Sequence, residues 1–229
     1  MNSMVFRFLS ACAAVLITTP TGAATEVTLA ELAPRLKVGD VVFIRVPVKP
    51  FREVAAATNS WTNHVGVVVD IETAEPQVAE STFPFARSGG LAAFAARSED
   101  GRLAVMRLDA ELTPAQKVLL RDAVHKRLGT FYDTGFDLHS KRQFCSRFVR
   151  EVLLESTGTT VGDVETFATL LSRRPDANLG FWKLWYFSRI PWQRETVTPA
   201  SVLASPALQT VFDGVLSRVP PARSRGPAR

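Results

Sequence analysis

Cysteine and histidine are both scarce in this sequence, which has two Cys and three His among 229 residues. Spacings such as CxxC or HExxH, which bring paired zinc ligands together, do not occur. Beyond a short N-terminal segment, no apolar run approaches the roughly 18 residues that a membrane-spanning helix requires. These absences argue against a disulfide scaffold, a motif-type zinc site and an integral membrane protein. They also leave few candidates for a nucleophile or a base.

A strong charge of either sign is lacking as well, since the formal net charge is +5 and charged residues make up 21% of the chain. No basic helix or stripe with interleaved aromatic residues is present, so nucleic acid is not an expected partner. A mild positive charge suits loose peripheral contact with an anionic envelope of lipid or wall polymer. The sequence carries no signal for an oligomeric state.

Residues 1–24 have the pattern of a secretory signal peptide. Arg7 supplies the positive charge, residues 8–17 form the apolar region, and small residues at 21–24 offer a cleavage site. A lipoprotein box also ends at Cys12, but it leaves almost no apolar region after Arg7, so lipidation is the weaker interpretation. We therefore expect a secreted or periplasmic protein whose mature chain keeps one thiol, Cys145. A single thiol cannot form an internal disulfide, so it is either buried or used.

Strand patterns occupy the first half of the remaining chain and helical patterns the second. β-rich runs lie at 41–46, 65–71, 77–80 and 103–108. A capping pattern at Thr113 opens one helix, which is expected to end at Gly129, and a second helix extends from about Phe144 to Gly158.

This order of strands before helices predicts one α+β domain over residues 25–216, with a small antiparallel sheet or half-barrel packed against helices. An apolar content of 46% is enough for such a domain to bury a core. Residues 217–229 form a basic, Pro/Arg-rich tail that is predicted to be disordered.

Cys145 falls at or beside the first turn of the second predicted helix. There the helix dipole and unpaired backbone N–H groups favour a thiolate, and the same groups can stabilise an oxyanion. Lys141, Arg142 and Arg147 add positive potential nearby. A free cysteine is most often a small buried hydrophobe, but this position favours a nucleophile.

A thiol hydrolase also needs a base, and His64 is the best placed of the three histidines. His125 lies on a charged helix face and His139 in a polar loop, so both are predicted to be at the surface. His64 begins a β-run from which an imidazole can face a helix N-terminus, and Gly66 leaves room for close backbone approach. A hydrogen-bonded histidine in a core is the alternative for this residue taken alone.

A carboxylate that orients the imidazole would complete the set. Glu80 ends the neighbouring run and could accept a hydrogen bond from the second ring nitrogen of His64, which would fix its tautomer. Asp70 and Glu75 could do the same, but both fall in a turn and look solvent-exposed. Cys145, His64 and Glu80 thus predict a triad. The same three groups could bind zinc if a fourth ligand or water completed the site.

Five short motifs carry a wider resemblance: Gly39-Asp40-Val-Val-Phe, Asn63-His64-Val-Gly66-Val, Val78-Ala-Glu80, Gly129-x-x-Tyr132-Asp133 and Phe144-Cys145-Ser146. Together they resemble the YiiX/YebB-like permuted papain-fold proteins of the NlpC-type peptidase superfamily. The resemblance runs from about residue 36 to 208 and implies a permuted papain-like fold. It also implies Cys145 as nucleophile, His64 as base and Glu80 as the orienting residue. By the same resemblance Tyr132 lines the substrate site, although a simply packed aromatic is an equal alternative.

We therefore expect an exported cysteine hydrolase, without a cofactor or metal, that cleaves an amide bond in a peptidoglycan-type wall peptide. The alternative is a lipid esterase or acyltransferase of the lecithin:retinol acyltransferase-like type. The resemblance includes enzymes that act on lipids, and the aromatic segment 181–192 would suit an acyl chain. That segment is expected to form core and cleft wall, with a membrane-facing patch as the other interpretation. A non-catalytic envelope-binding protein or a metal-binding site is the second alternative.

Overall fold

The structure is a computed structural model that describes residues 25–217. The predicted signal peptide, the lipoprotein alternative at Cys12 and residues 218–229 of the predicted tail lie outside the described residues.

Nine strands occur in this part of the chain. They are β1 (Thr25–Thr28), β2 (Val41–Ile44), β3 (His64–Asp70), β4 (Gln77–Glu80), β5 (Arg87–Gly90), β6 (Arg102–Leu108), β7 (Val164–Thr166), β8 (Glu195–Val197) and β9 (Leu208–Ser217). Seven of them form one sheet in the order β1-β9-β6-β2-β3-β4-β5. Its neighbours are antiparallel except for the parallel pair of β1 and β9. A separate antiparallel pair joins β7 to β8.

Some of the helices pack on the faces of the sheet, and the others lie beside it. The helices are α1 (Leu29–Leu32), α2 (Lys49–Ala57), α3 (Leu91–Ala95), α4 (Pro114–His125), α5 (Cys145–Thr157), α6 (Phe167–Ser172), α7 (Leu179–Trp185) and α8 (Pro199–Leu203). The two longest, α4 and α5, pack against each other and against β3. None of the described helices is long and apolar enough to cross a membrane.

β2 is apolar at every position because both faces of the sheet are covered. Val41 and Phe43 contribute to the core that contains the buried faces of α4 and α5. Val42 and Ile44 point the other way, into a second core with the apolar residues of α1 and α3. A slip of one residue would move side chains that fit one core into the other, so the close packing of both cores, rather than an alternation of polar and apolar residues, holds β2 in register.

The α+β prediction is confirmed, and the four predicted β-rich runs form the adjoining strands β6, β2, β3 and β4. The outer strands β1, β5 and β9 were not predicted. β5 has the sequence Arg-Ser-Gly-Gly, which reads as a turn, and only its pairing with β4 makes it a strand. At Gly214 a Cβ would lie 2.0 Å from the carbonyl oxygen of Thr25, so the approach of β1 to β9 needs a glycine there. Ser217, the first residue of the predicted tail, is the last residue of β9.

Two details of the predicted helices are wrong in the same region. α4 ends at His125 rather than at Gly129, because Gly129 adopts φ +78° in the following turn and donates its N–H to the carbonyl of Ala86. The apolar residues at 119, 120, 123, 124 and 128 recur at a helical spacing that predicts one buried stripe, yet Leu119 is 48% exposed. The second predicted helix is confirmed as α5, which ends at Gly158 in the left-handed conformation.

Candidate active site

Cys145 is the first residue of α5 and is 3% exposed. The N-cap residue, Phe144, provides no side-chain hydrogen bond to the first turn. The N–H groups that begin this helix therefore have no side-chain acceptor at the cap, and they lie beside the sulfur. This end of the helix carries the positive pole of its dipole, which favours an anion.

Two serine hydroxyls fix the start of α5 relative to its surroundings. Ser81, which directly follows β4, donates to the carbonyl oxygen of Gln143 at 2.8 Å. Ser146 donates to the carbonyl oxygen of Val197 in β8 at 2.7 Å. Both serines are buried. The position of Cys145 is thus tied to the end of the strand that carries Glu80.

His64 and Glu80 lie on the same face of neighbouring strands. The register pairs Val67 of β3 with Ala79 of β4, so Glu80 lies beside Gly66 and diagonal to His64. A Cβ at Gly66 would lie 2.7 Å from a methyl group of Val78 and 2.9 Å from the carbonyl oxygen of Ala79. The missing side chain therefore lets the strands and the ring of Phe94 close over this point, as the sequence predicted for Gly66.

The ring of His64 lies next to both the carboxylate of Glu80 and the thiol of Cys145. Its Nε2 lies 2.5 Å from Oε2 of Glu80. The other ring nitrogen, Nδ1, is buried and has no hydrogen-bond partner among the described residues, so it is the nitrogen available to the thiol of Cys145, which interacts with this ring. Burial lowers the pKa of His64, but the charge and hydrogen bonding of Cys145 and of Glu80 outweigh it and raise the pKa to about 9. The imidazole is therefore held as a cation beside the carboxylate of Glu80.

Glu80 is held ionised although it is only 4% exposed. Burial raises its pKa, yet the hydrogen bond and charge of His64, together with Arg97, bring the pKa down to about 2. Arg97 donates to Oε2 at 2.6 Å, and Arg87 reaches Oε1 at a longer 3.4 Å. The guanidinium of Arg97 also lies 5.0 Å above the ring of Phe94, which packs beside His64.

Tyr132 also lies next to Cys145. It is 6% exposed, in a segment that bridges to Gln143 just before α5. Burial, followed by the charge and hydrogen bonding of Cys145, raises the pKa of Tyr132 well above its ordinary value. Its hydroxyl therefore stays protonated and can donate to an anion at the sulfur or next to it.

An apolar cavity of about 630 Å³, including its open mouth, extends from Cys145 away from the sheet. Its walls come from α2, α6, α7 and the segment around β8. The aromatic residues in the lining are Phe51, Tyr132, Phe136, Phe144, Phe167, Trp182 and Tyr186. Such a lining accommodates an apolar group more readily than a charged one.

The aromatic segment 181–192 is both a small core and a cavity wall. Trp182 and Ile190 are buried in a cluster with Ala57 and Phe167. Trp182 stacks on Tyr186 with 6.2 Å between the ring centroids, and both rings line the cavity. The expectation of a core combined with a cleft wall thus fits this placement.

The structure brings together all four site residues that the sequence singled out, Cys145, His64, Glu80 and Tyr132, and leaves out the other two histidines. His125 and His139 are exposed, and His139 contacts Glu195.

The three basic residues that were predicted to add positive potential near Cys145 have their charges paired with other groups or exposed to solvent. Arg147 turns to Glu151 at 2.7 Å and to backbone carbonyls, so its charge is compensated. Lys141 and Arg142 are exposed side chains.

Arg97 and Arg87 are the site residues that sequence reasoning missed. They lie 17 and 7 residues beyond Glu80, in segments without a motif. Arg87 faces Glu80 directly in the register of β5, but β5 was itself not predicted. The only available signal was the cost of a buried carboxylate, which requires a charged or hydrogen-bonding partner somewhere in the fold.

The fold defines the class of protein. It is a papain-like fold in a permuted order, because the strands that carry His64 and Glu80 precede the helix that begins with Cys145. A family model described as "Permuted papain-like amidase enzyme, YaeF/YiiX, C92 family" matches residues 35–212. The chain belongs to this permuted papain-like amidase family.

Two relatives show how far the similarity extends. The "Uncharacterized protein YiiX" of Escherichia coli (strain K12) is 28% identical over 173 residues, which are 76% of this chain and 84% of that protein. A solved structure described as "metalloprotein yiiX from Escherichia coli O157:H7" is similar with a TM-score of 0.70 and 25% identity. It covers 79% of this chain and 99% of its own.

Proposed function

We propose that the protein is a cysteine amidase in which Cys145 is the nucleophile, His64 the base and Glu80 the residue that orients and stabilises the imidazolium. The observation that carries the proposal is the buried imidazole, with one nitrogen on Glu80 and the other left for Cys145. A nucleophile and base within reach, with the base oriented by a third group, is the arrangement that covalent catalysis needs.

The chemistry follows from these positions. His64 holds the proton of Cys145, and the thiolate attacks the amide carbonyl carbon to form a C–S bond. As the tetrahedral intermediate collapses, the C–N bond breaks and His64 gives its proton to the leaving amine. Water, deprotonated by His64, then attacks the thioester, and the carboxylic acid leaves as the thiol is restored.

Two kinds of donor would stabilise the oxyanion of that intermediate. The N–H groups that begin α5 have no side-chain acceptor at the cap, and the protonated hydroxyl of Tyr132 lies next to Cys145. Donors fixed before the reaction lower the barrier because they need no rearrangement when the charge develops.

The cavity favours a substrate with an apolar acyl group. A wall peptide carries charged and polar groups, which would lose hydration among these aromatic and aliphatic walls. We therefore propose an N-acyl amide or a lipid-derived acyl group as the first candidate. The peptidoglycan-type peptide is the second candidate, favoured by the amidase description of the family.

The two candidates separate in a direct assay. Wild type and Cys145→Ala are incubated with an N-palmitoyl amide, a phospholipid and a muropeptide, and products are measured by mass spectrometry. We expect hydrolysis of the N-acyl amide by wild type and a loss of at least about 10⁴-fold in Cys145→Ala. Cleavage of the muropeptide alone would select the second candidate, and equal activity of the variant would remove Cys145 from the mechanism.

A metal centre is a weaker candidate, although the solved relative is described as a metalloprotein. The oxygens of Glu80 are engaged by His64 and two arginines, which leaves Cys145 and Nδ1 of His64 as donors. Zinc sites use three or four protein ligands, and residues 25–217 contain no group of three or more His, Cys, Asp or Glu side chains that could hold a metal ion. We expect well under one equivalent of zinc in the purified protein. A non-catalytic envelope-binding protein would show no Cys145-dependent turnover in the assay above.

We also propose export to the periplasm or beyond, which rests on the pattern of residues 1–24. N-terminal sequencing of the protein recovered from the cell envelope or medium tests it. A chain that begins near residue 25 is expected, whereas a lipid-modified Cys12 would favour the lipoprotein interpretation.

A further inference from the structure

α7 and the turn after it have two opposite faces. Trp182, Tyr186 and Ile190 face inward and line the cavity next to Cys145. Leu184 and Phe187 face outward, and they are the two most exposed large apolar side chains among the described residues, at 78% and 90%. Single exposed apolar side chains are ordinary, but two together on the outer wall of an apolar cavity are not.

The backbone that holds Phe187 in its outward position has an unfavourable conformation. Phe187 and Ser188 adopt φ values of +48° and +65° in succession. A bulky residue rarely takes the left-handed conformation, and it persists only where the surroundings enforce it. Here Ser188 donates its N–H to the carbonyl of Lys183, and Arg189 to that of Tyr186. The turn is closed by these bonds, and the ring of Phe187 has no burial to offset the strain.

Positive charge surrounds the exposed pair. Lys183 and Arg189 are exposed, and neither forms an ion pair within 4.0 Å among residues 25–217. Between positions 173 and 194 the chain has five basic residues and one acid, Asp176, which pairs with Arg174. An apolar tip flanked by uncompensated cations is complementary to an anionic lipid surface, where each cation adds attraction and the apolar groups enter the interface.

We propose that Lys183, Leu184, Phe187 and Arg189, together named the 183–189 tip, dock the protein on the surface of an anionic bilayer. The inner face of the same element lines the cavity, so docking would bring the cavity wall to the lipid from which an apolar acyl group comes. This role in bringing the cavity to its substrate rests on the proposed function. The docking itself is independent of that function, because it is measured without turnover.

The test compares two double variants in the full chain. Lys183→Gln/Phe187→Ser removes one cation and one exposed apolar side chain from the tip. Lys117→Gln/Leu119→Ser makes the same change on α4, where Leu119 is 48% exposed and Lys117 forms no ion pair within 4.0 Å in the described part of the chain. Both share the residues outside 25–217, so any contribution of those residues to binding is common to them.

Binding is measured by co-sedimentation with vesicles of phosphatidylglycerol and phosphatidylcholine in equal amounts, and with phosphatidylcholine alone. We expect wild type and the α4 variant to bind the anionic vesicles equally, and the tip variant to bind at least about tenfold more weakly. Quenching of tryptophan fluorescence by brominated phosphatidylglycerol is expected in wild type, since Trp185 belongs to α7, and is reduced in the tip variant.

Two outcomes would overturn the proposal. Equal binding by the tip variant and wild type would show that the tip does not touch the bilayer. Absence of vesicle binding, together with a dimer that only the tip variant loses in size-exclusion chromatography, would assign the tip to contact with a second copy. Because none of these measurements involves turnover, they can fail while Cys145 remains an active nucleophile, and the reverse also holds.

Discussion

On its sheet side Cys145 meets ionisable groups held by hydrogen bonds, whereas on its other side it opens onto a cavity of aromatic and aliphatic walls. The sheet side, with His64, Glu80 and Arg97, is nearly closed to solvent, and each charge has an opposite partner. The cavity side contains few polar atoms and gains its shape from α2, α6 and α7. Under the proposed function, the chemistry belongs to the rigid sheet side and the selectivity to the elements that surround the cavity.

This division predicts that substitutions on the sheet side change the rate for every substrate, and that substitutions on the cavity side change the choice among substrates. The four predictions below test that separation, beginning with the largest expected effect.

Glu80→Gln is expected to lower kcat/KM by about 10²–10⁴-fold for all substrates. The amide keeps the shape but removes the charge that stabilises the imidazolium, and it leaves Arg97 without its anionic partner. Glu99→Gln is the matched control, since Glu99 is also bound by two arginines, Arg45 and Arg52. The control is expected to keep its activity, and a loss equal to that of Glu80→Gln would assign the effect to general destabilisation.

Arg97→Gln is expected to lower kcat by about tenfold with little change in KM, because Arg97 acts on substrate only through Glu80. Arg87→Gln should have a smaller effect, since its contact with Glu80 is longer and its side chain is 53% exposed against 28% for Arg97. Arg97→Lys should recover part of the loss. Steady-state kinetics of the three variants measures these losses. A larger loss of kcat in Arg87→Gln than in Arg97→Gln would contradict the prediction.

Ala57→Leu is expected to reduce hydrolysis of long-chain acyl amides by about tenfold while short-chain amides react as before. Ala57 lies at the end of α2 and lines the cavity, so a larger side chain shortens the space available. Ala55→Leu is the control, because it overpacks the same helix at a buried position outside the lining. The test measures the rate of hydrolysis by both variants as a function of acyl-chain length. Equal profiles for the two variants would show that the cavity does not determine the preference for chain length.

The smallest expected effect is on stability. The free energy of unfolding is expected to fall as the pH rises from 6.5 towards 9. The folded pKa of His64, about 9, lies above its unfolded value of 6.5, so the folded state binds an additional proton in this range and loses its contribution as that proton leaves. At the acidic end, Glu80 contributes above pH 4.5 and loses its contribution as the pH falls towards 2.

Urea unfolding of wild type and Cys145→Ala across this range measures the dependence. The charge of Cys145 is the first of the causes that raise the pKa of His64, so the decline above pH 6.5 should be shallower in the variant. An identical decline in both proteins would mean that the thiol and imidazole are not coupled.

The sequence predicted the sheet side better than the cavity side, for a physical reason. Residues such as His64 and Glu80 occupy short, strongly β-branched strands whose order and register follow from apolar patterning. Cys145 was recognisable because helix starts and lone thiols have local signatures. The cavity, by contrast, forms where distant segments at 51–58, 167–171 and 182–199 meet, and no local pattern specifies that meeting.

The arginines on Glu80 illustrate the same limit. Arg87 reaches the carboxylate only because an unpredicted edge strand of Gly and Ser pairs with β4. Arg97 reaches it from the loop after α3, where it also stacks on Phe94. The groups that a long, flexible side chain can reach depend on the folded backbone, so its contacts cannot be predicted from the spacing of residues in the sequence alone.

The central claim is that His64 controls the reactivity of Cys145, and alkylation kinetics test it without a known substrate. Iodoacetamide labelling of Cys145 is followed by peptide mass spectrometry, which separates it from Cys12, in wild type and in His64→Ala at a pH below 6.5. The account predicts labelling that is at least about tenfold slower in His64→Ala, because the imidazolium no longer stabilises the thiolate. Equal labelling rates in the two proteins, with both folded, would contradict it.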